Sequence, residues 1–268
     1  MKKSIGFIGC GKMASAIIKG IQGVNESSAF TLLGSEVNAE FAKSAADRLN
    51  ITVFDDNKEL AKSSDIVFLA TKPNYVAEVV EEIKDVLTED KLVVSIAAGV
   101  STSKIENIIP GIRVIRVMPN TPALVKLGMF GVCKGSKAND EDLNLILDIL
   151  SVLGKCITVE ESQIDIVTAI SGSGPAFFYQ VIEDIARAGE KLGLDYEKSL
   201  ILATQTALGS AQMVFNRGET SVQTLIDNVA TKGGCTFVGI TEMKEQRSDK
   251  LFYDVIDKTT QKANALGK

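Results

Sequence analysis

Up to about residue 159, short β-rich runs alternate with amphipathic stretches, and that alternation leaves few architectures open. SIGFIG precedes ASAIIKGIQ, FTLLG precedes AEFAKSAADRL, and DIVFLA precedes YVAEVVEEIKDVL, with ITVF and KLVVSIAAG as further strand-like runs. Strand and helix periods in turn predict a parallel sheet wrapped by helices. IRVIRVMPN, MFGVCKG and the helix-like DEDLNLILDILSVLG extend the pattern. From Glu160 the strand signal is gone: QIDIVTAI, PAFFYQVIEDIARAGEKLG, YEKSLILATQTALGSAQMVFNRG and VQTLIDNVA read as helices, followed by a charged tail. The expectation is two domains, an α/β domain over 1–159 and an all-α domain over 160–268.

Composition narrows the chemistry. The net charge of −5, with lysines scattered rather than clustered, gives no footprint for nucleic acid or an anionic membrane. The apolar run of MKKSIGFIG stops at Gly9, too soon for a signal-peptide core, and no run reaches membrane-spanning length, so a cytoplasmic protein acting on a small molecule is expected. Cys10, Cys133, Cys156 and Cys235 lie far apart with no C-x-x-C pair, which fits reduced thiols and no metal site. Histidine is absent, so the chemistry needs little proton transfer or uses other groups.

SIGFIGCGKMASAI reads as strand, glycine turn and helix, with Gly9, Gly11 and Ala14 in the G-x-G-x-x-[GA] pattern. Gly9 permits the tight turn, Gly11 the close approach of a pyrophosphate, and Ala14 the packing of helix on strand; the helix start offers N–H groups to the phosphates. The second strand ends near Ser35-Glu36, where such folds read the adenosine ribose, and no arginine stands there for a 2′-phosphate. Glu36 either bonds the ribose hydroxyls, favouring NADH, or is a solvated loop carboxylate, which leaves the cofactor choice open.

Open α/β sheets bind ligands beyond the carboxyl ends of their strands. Thr71-Lys72-Pro73-Asn74, Ala97-Ala98-Gly99 and Met118-Pro119-Asn120-Thr121-Pro122 follow three of the apolar runs. In VATKGGCTFVGITEMKE, Thr236 stands where an N-cap would, with Gly233-Gly234 as the bend, so the N–H groups of Gly234, Cys235 and Thr236 are placed to receive a carboxylate. An ordinary capped turn is the alternative. Ser171-Gly172-Ser173-Gly174-Pro175 reads either as small residues admitting a close approach or as a helix-loop-helix joint.

In order and spacing, GFIGCGKMASAI, FLATKP, SIAAGVS, VMPNTPALV, SGSGPAFF and DNVATKGGCT resemble the pyrroline-5-carboxylate reductases over nearly the whole chain. The resemblance implies a Rossmann domain followed by a helical dimerisation domain, a homodimer that assembles further into a decamer, and active sites built from two chains. It implies NADPH or NADH as cofactor, held by Ile8, Gly9, Cys10, Gly11, Lys12, Met13, Ser35, Asn57, Ala70, Thr71, Lys72, Pro73, Ile96, Ala97 and Ala98. A cyclic imino acid is the implied substrate, reduced to L-proline. Cys235 and Thr236, with Gly234, are placed at its carboxylate, Glu161 beside the proline site, and Asn228 near both ligands, with Thr236 also near the ring nitrogen. Glu219 is a weaker candidate for the substrate side.

Two departures affect substrate scope. Thr231-Lys232 replaces the serine-proline usual before the double glycine, and Thr220-Ser221 replaces a histidine-proline pair. Reduction of another imino or oxo acid, with Lys232 recruiting a second carboxylate, and a non-catalytic dinucleotide-binding regulator remain as alternatives.

Overall fold

The computed structural model describes residues 2–23 and 29–266. Its elements run β1 (Lys3–Ile8), α1 (Lys12–Gln22), β2 (Phe30–Ser35), α2 (Ala39–Leu49), β3 (Thr52–Phe54), α3 (Asn57–Lys62), β4 (Ile66–Leu69), α4 (Val76–Ile83), β5 (Leu92–Ser95), α5 (Thr102–Glu106), β6 (Arg113–Met118), β7 (Gly128–Lys134), α6 (Asp140–Ser151) and β8 (Gly154–Thr158). Helices follow: α7 (Ile164–Val167), α8 (Gly174–Lys191), α9 (Tyr196–Phe215), α10 (Val222–Val229), α11 (Cys235–Glu245) and α12 (Ser248–Leu266). The charged tail is therefore a long helix.

The strands form one sheet in the order β3-β2-β1-β4-β5-β6-β7-β8, parallel except where β6 meets β7. Side chains alternate between its faces. Ile5 and Phe7 of β1, Ile66 and Phe68 of β4 and Val94 of β5 pack with Ile17 and Ile18 of α1 and Ile146 and Leu150 of α6. Ile8, Val67, Leu69 and Val93 face the other way, onto Leu60 of α3 and Val76, Val80 and Ile83 of α4. Phe7 and Phe68 stack with centroids 4.7 Å apart, and each such buried side chain contributes about 1.5–3 kcal/mol. This two-faced burial is why the strands read as near-continuous apolar runs. The order reverses at β1, between β2 and β4, the place where such sheets take ligands.

The last strand ends at Thr158, and the elements described after it are helical. The compact units divide elsewhere: Met1–Ser173 with Lys258–Lys268, and Gly174–Asp257. Residues past Thr158 belong to the first unit because Ile164 and Val167 pack with Met118 and Cys133. The Ser171–Pro175 stretch is a tight joint: a π-turn over Thr168–Gly172, closed by Ser173 N–H donating to the Thr168 carbonyl at 2.8 Å, passes through a bend at Ser173 into α8.

Within the second unit, α8 and α9 pair as a hairpin, started by the Asp195 cap of α9 and tied by Tyr196 Oη donating to Glu183 at 2.7 Å. Its buried apolar side chains are only Ala186 and Ala203, while Phe178, Tyr179, Ile201, Leu202, Met213 and Phe215 are exposed. Such a unit does not bury enough apolar surface by itself and requires a partner.

Candidate functional site

The parallel pairing brings four strand ends to one rim. Gly9 N–H donates to the Ser35 carbonyl, Ala70 N–H to Ile8 and Ile96 N–H to Leu69, so the loops continue the ladder of the sheet. Ile8, Gly9, Ser35, Asn57 and Thr71 line a cleft of about 280 Å³ there, together with Glu36. Cys10, Gly11, Lys12 and Met13 carry the turn into α1, and Ala70, Lys72, Ile96, Ala97 and Ala98 follow β4 and β5 on the same rim. Pro73 instead lines the neighbouring cavity of about 490 Å³, with Gly99.

The glycine turn is built for a ligand. Gly9 has φ +90°, and a Cβ there would lie 2.9 Å from the Ala70 carbonyl oxygen, so the fold itself requires glycine. Gly11 differs: its φ of −66° is ordinary and a Cβ would meet nothing within 4 Å. The protein has no internal need of glycine at that position, whereas a pyrophosphate lying against the backbone does. Thr71 Oγ1 is buried with no hydrogen-bond partner, a polar atom left for a ligand in the cleft. These features fit a dinucleotide.

Other groups fix the turn. Cys10 N–H donates to Glu36 Oε1 at 2.7 Å. Arg48 reaches back from α2 to donate to Ser15 Oγ at 2.6 Å and to the Cys10 carbonyl at 3.0 Å. Burial pushes the Cys10 thiol up to about 11, with the Glu36 carboxylate adding to it, so the thiol stays neutral. Asn57 is buried, its Oδ1 accepting from Ser35 Oγ at 2.7 Å and its Nδ2 donating to Glu82 at 2.8 Å. It thus braces Ser35 from behind. Arg48 and Glu82 escape a sequence reading because their partners are remote along the chain.

In the second unit, Asn228 and Thr236 line one cavity of about 380 Å³ with Ser210, Met213 and Ile240. Gly234 and Cys235 stand at the start of α11, and Lys232 is exposed. One expectation is corrected: Gly234, not Thr236, is the N-cap, and Thr236 is the second residue of the helix. Gly233, at φ +82°, makes the bend alone, and Gly234 N–H closes it on the Thr231 carbonyl at 2.9 Å, so the helix begins earlier.

Helix starts differ in their caps; α4 and α7 lack a side-chain cap but continue from the 3-10 turns Pro73–Tyr75 and Glu161–Gln163. Side-chain oxygens of Asn38, Asp56, Ser101, Asn139, Asp195 and Ser221 cap α2, α3, α5, α6, α9 and α10. α1 and α11 instead start from glycine N-caps, Gly11 and Gly234, with no side-chain acceptor. Their first-turn N–H groups and positive dipole ends remain available to an anion.

Glu161 lies in the first unit with its carboxylate engaged. Oε1 accepts from Thr102 N–H at 2.7 Å and from Arg116 at 3.1 Å, and Oε2 accepts from Thr102 Oγ1 at 2.7 Å. Its partners are therefore the start of α5 and a buried arginine of β6. Asn120, in the VMPNTP loop, is a residue the motif did not single out: it accepts from Met129 N–H at 2.8 Å and donates to the Ser171 carbonyl at 3.2 Å.

Residues 161–266 match the family model described as pyrroline-5-carboxylate reductase dimerisation, and residues 4–99 match NADP oxidoreductase coenzyme F420-dependent. The pyrroline-5-carboxylate reductase of Methanosarcina acetivorans is 38% identical over 267 residues, covering 99% of this chain and 98% of that protein. The chain belongs to the pyrroline-5-carboxylate reductase family. The pyrroline-5-carboxylate reductase structure from Coxiella burnetii superposes with a TM-score of 0.91 at 33% identity, and that of Plasmodium falciparum with NADP bound at 0.87 and 33%, each over 100% of both chains. Membership accounts for the exposed apolar surface of the helical unit, which is an oligomerisation surface. No helix among the described residues is long and apolar enough to cross a membrane.

Proposed function

We propose that the chain reduces 1-pyrroline-5-carboxylate to L-proline, the last step of proline synthesis, with NADPH or NADH as reductant. The observation that carries the mechanism is the pair of helices that begin at glycine without a side-chain cap, α1 and α11. α1, with Ile8 to Met13, would hold the pyrophosphate, Ser35 and Asn57 would stand at the ribose, and Ala70 to Lys72 with Ile96 to Ala98 would line the remaining length of the dinucleotide, with Pro73 at the edge toward the neighbouring cavity. When bound, the reduced nicotinamide supplies a hydride to the C=N carbon of the imine.

The N–H groups of Cys235 and Thr236, which follow the Gly234 N-cap, hold the substrate carboxylate, Thr236 Oγ1 hydrogen-bonds near the ring nitrogen, and Asn228 orients the ring from the same cavity. A cyclic imine that binds already protonated accepts hydride without a strong general acid, which agrees with a chain that has no histidine. Glu161 acts through Arg116 and Thr102, as a positioning residue. Functionally, 1–159 binds the dinucleotide and 160–268 carries dimerisation and substrate binding, in a cytoplasmic homodimer that assembles into a decamer.

Steady-state turnover of 1-pyrroline-5-carboxylate against 1-pyrroline, which lacks the carboxylate, tests this reading. The account expects kcat/KM for 1-pyrroline to be at least about a hundredfold lower, the worth of a charge-assisted anion site. Equal turnover of the two imines would remove the carboxylate clamp from the mechanism.

A further inference from the structure

The wall of the dinucleotide cleft beyond β2 is acidic. Glu36, Glu78 and Glu82 line it with Ser35, Val37 and Asn57, and no lysine or arginine is among its lining residues in the described structure. Glu36 is held in place by the Cys10 N–H on Oε1, which leaves Oε2 facing no protein donor among the described residues. Glu82 is held by Asn57 Nδ2 at 2.8 Å, and Asn57 in turn by Ser35 Oγ at 2.7 Å. Arg48, the cation reaching the glycine turn from α2, is committed to Ser15 Oγ and the Cys10 carbonyl.

We infer that this wall makes NADH the preferred reductant over NADPH, with Glu36 as the specificity-determining residue; the inference rests on the reductase reading above. A fixed carboxylate at the end of β2 accepts hydrogen bonds from the adenosine ribose hydroxyls. A 2′-phosphate removes one of those donors and brings close to two negative charges toward three carboxylates, with no cation in the wall to receive them. One like-charge pair about 6 Å apart, in the effective dielectric of a protein surface, weakens binding by about tenfold or more. Val37 cannot compensate, because an aliphatic side chain offers no donor to a phosphate.

Calorimetric titration of the full-length protein with NADH and with NADPH, alongside kcat/KM for each with the imine, tests this. The wild type is expected to bind NADH at least about tenfold more tightly. Glu36→Gln keeps an acceptor for the Cys10 N–H while removing the charge, and narrows the ratio by about tenfold, mainly through tighter NADPH. Glu78→Gln, away from the glycine turn, narrows it in the same direction by a smaller factor. Equal or tighter binding of NADPH by the wild type, or a ratio that neither variant moves, overturns the inference while imine reduction continues. Failure of both dinucleotides to bind overturns the reductase reading itself, and the inference with it.

Discussion

Arg48 Nη2 donates to the Cys10 carbonyl at 3.0 Å, joining α2 to the turn that opens α1. Its Nη1 holds Ser15 Oγ at 2.6 Å, so one guanidinium ties the glycine turn to the first turns of α1. Arg48→Met keeps the stem and removes these bonds. The expected result is a loss of about 1–3 kcal/mol in stability and a several-fold rise in KM for the dinucleotide, with kcat for the bound complex changed less. Chemical denaturation and cofactor titration of the variant check both; an unchanged cofactor KM would leave Arg48 a purely structural residue.

Thr236→Ala should lower kcat/KM for the imine by about tenfold, the loss of one hydrogen bond at the reacting ring, while dinucleotide affinity stays at the wild-type value. Wild-type kcat/KM in this variant would remove Thr236 from the substrate site. Lys232→Pro should leave KM for the imine and its salt dependence unchanged, because Lys232 is exposed; a salt-dependent rise in KM would give the lysine a role in attracting the carboxylate.

Three thiols predict an alkaline limit. Burial pushes Cys10 and Cys156 from 9.0 up to about 11, and burial with the Glu161 carboxylate pushes Cys133 up to about 12. Between these values and 9.0 the unfolded chain loses protons that the folded chain keeps, so raising the pH favours unfolding. Their contribution is whole below about pH 9 and is lost as pH rises through the folded values. Tm measured from pH 7 to 10.5 should stay level as far as these groups act and then fall, and Cys133→Ala should flatten the fall. An equally steep fall without Cys133 would place its origin elsewhere.

The helical unit predicts an obligate assembly. Ile201 on α9 is 67% exposed in the single chain, amid other uncovered apolar side chains. Ile201→Asp puts a charge on that surface, and light scattering on the eluting protein should show a lower mass with loss of activity. An unchanged mass would take Ile201 out of the interface.

The alternating runs and the glycine turn were legible because their signals are local: period, β-branched content and turn residues stand next to one another in the chain. β8 was not, since GKCIT is short, largely exposed and made a strand only by pairing with β7. The same holds for the bonds that shape the site. Cys10 with Glu36, Arg48 with Cys10, and Glu161 with Thr102 are 26, 38 and 59 residues apart, and tertiary folding alone brings them together. At α11 the preference for threonine as a cap misled, because the bend falls at Gly233 and the helix begins at Cys235, one residue before the threonine.

The most direct test of the central claim follows the hydride. The protein is supplied with 1-pyrroline-5-carboxylate and a reduced nicotinamide dinucleotide deuterated at the transferring carbon, and the product is read by mass spectrometry and NMR. The account predicts L-proline carrying one deuterium on the ring carbon that was doubly bonded to nitrogen, in amount equal to the dinucleotide oxidised. Dinucleotide bound but not oxidised, or proline formed without the label, would contradict it.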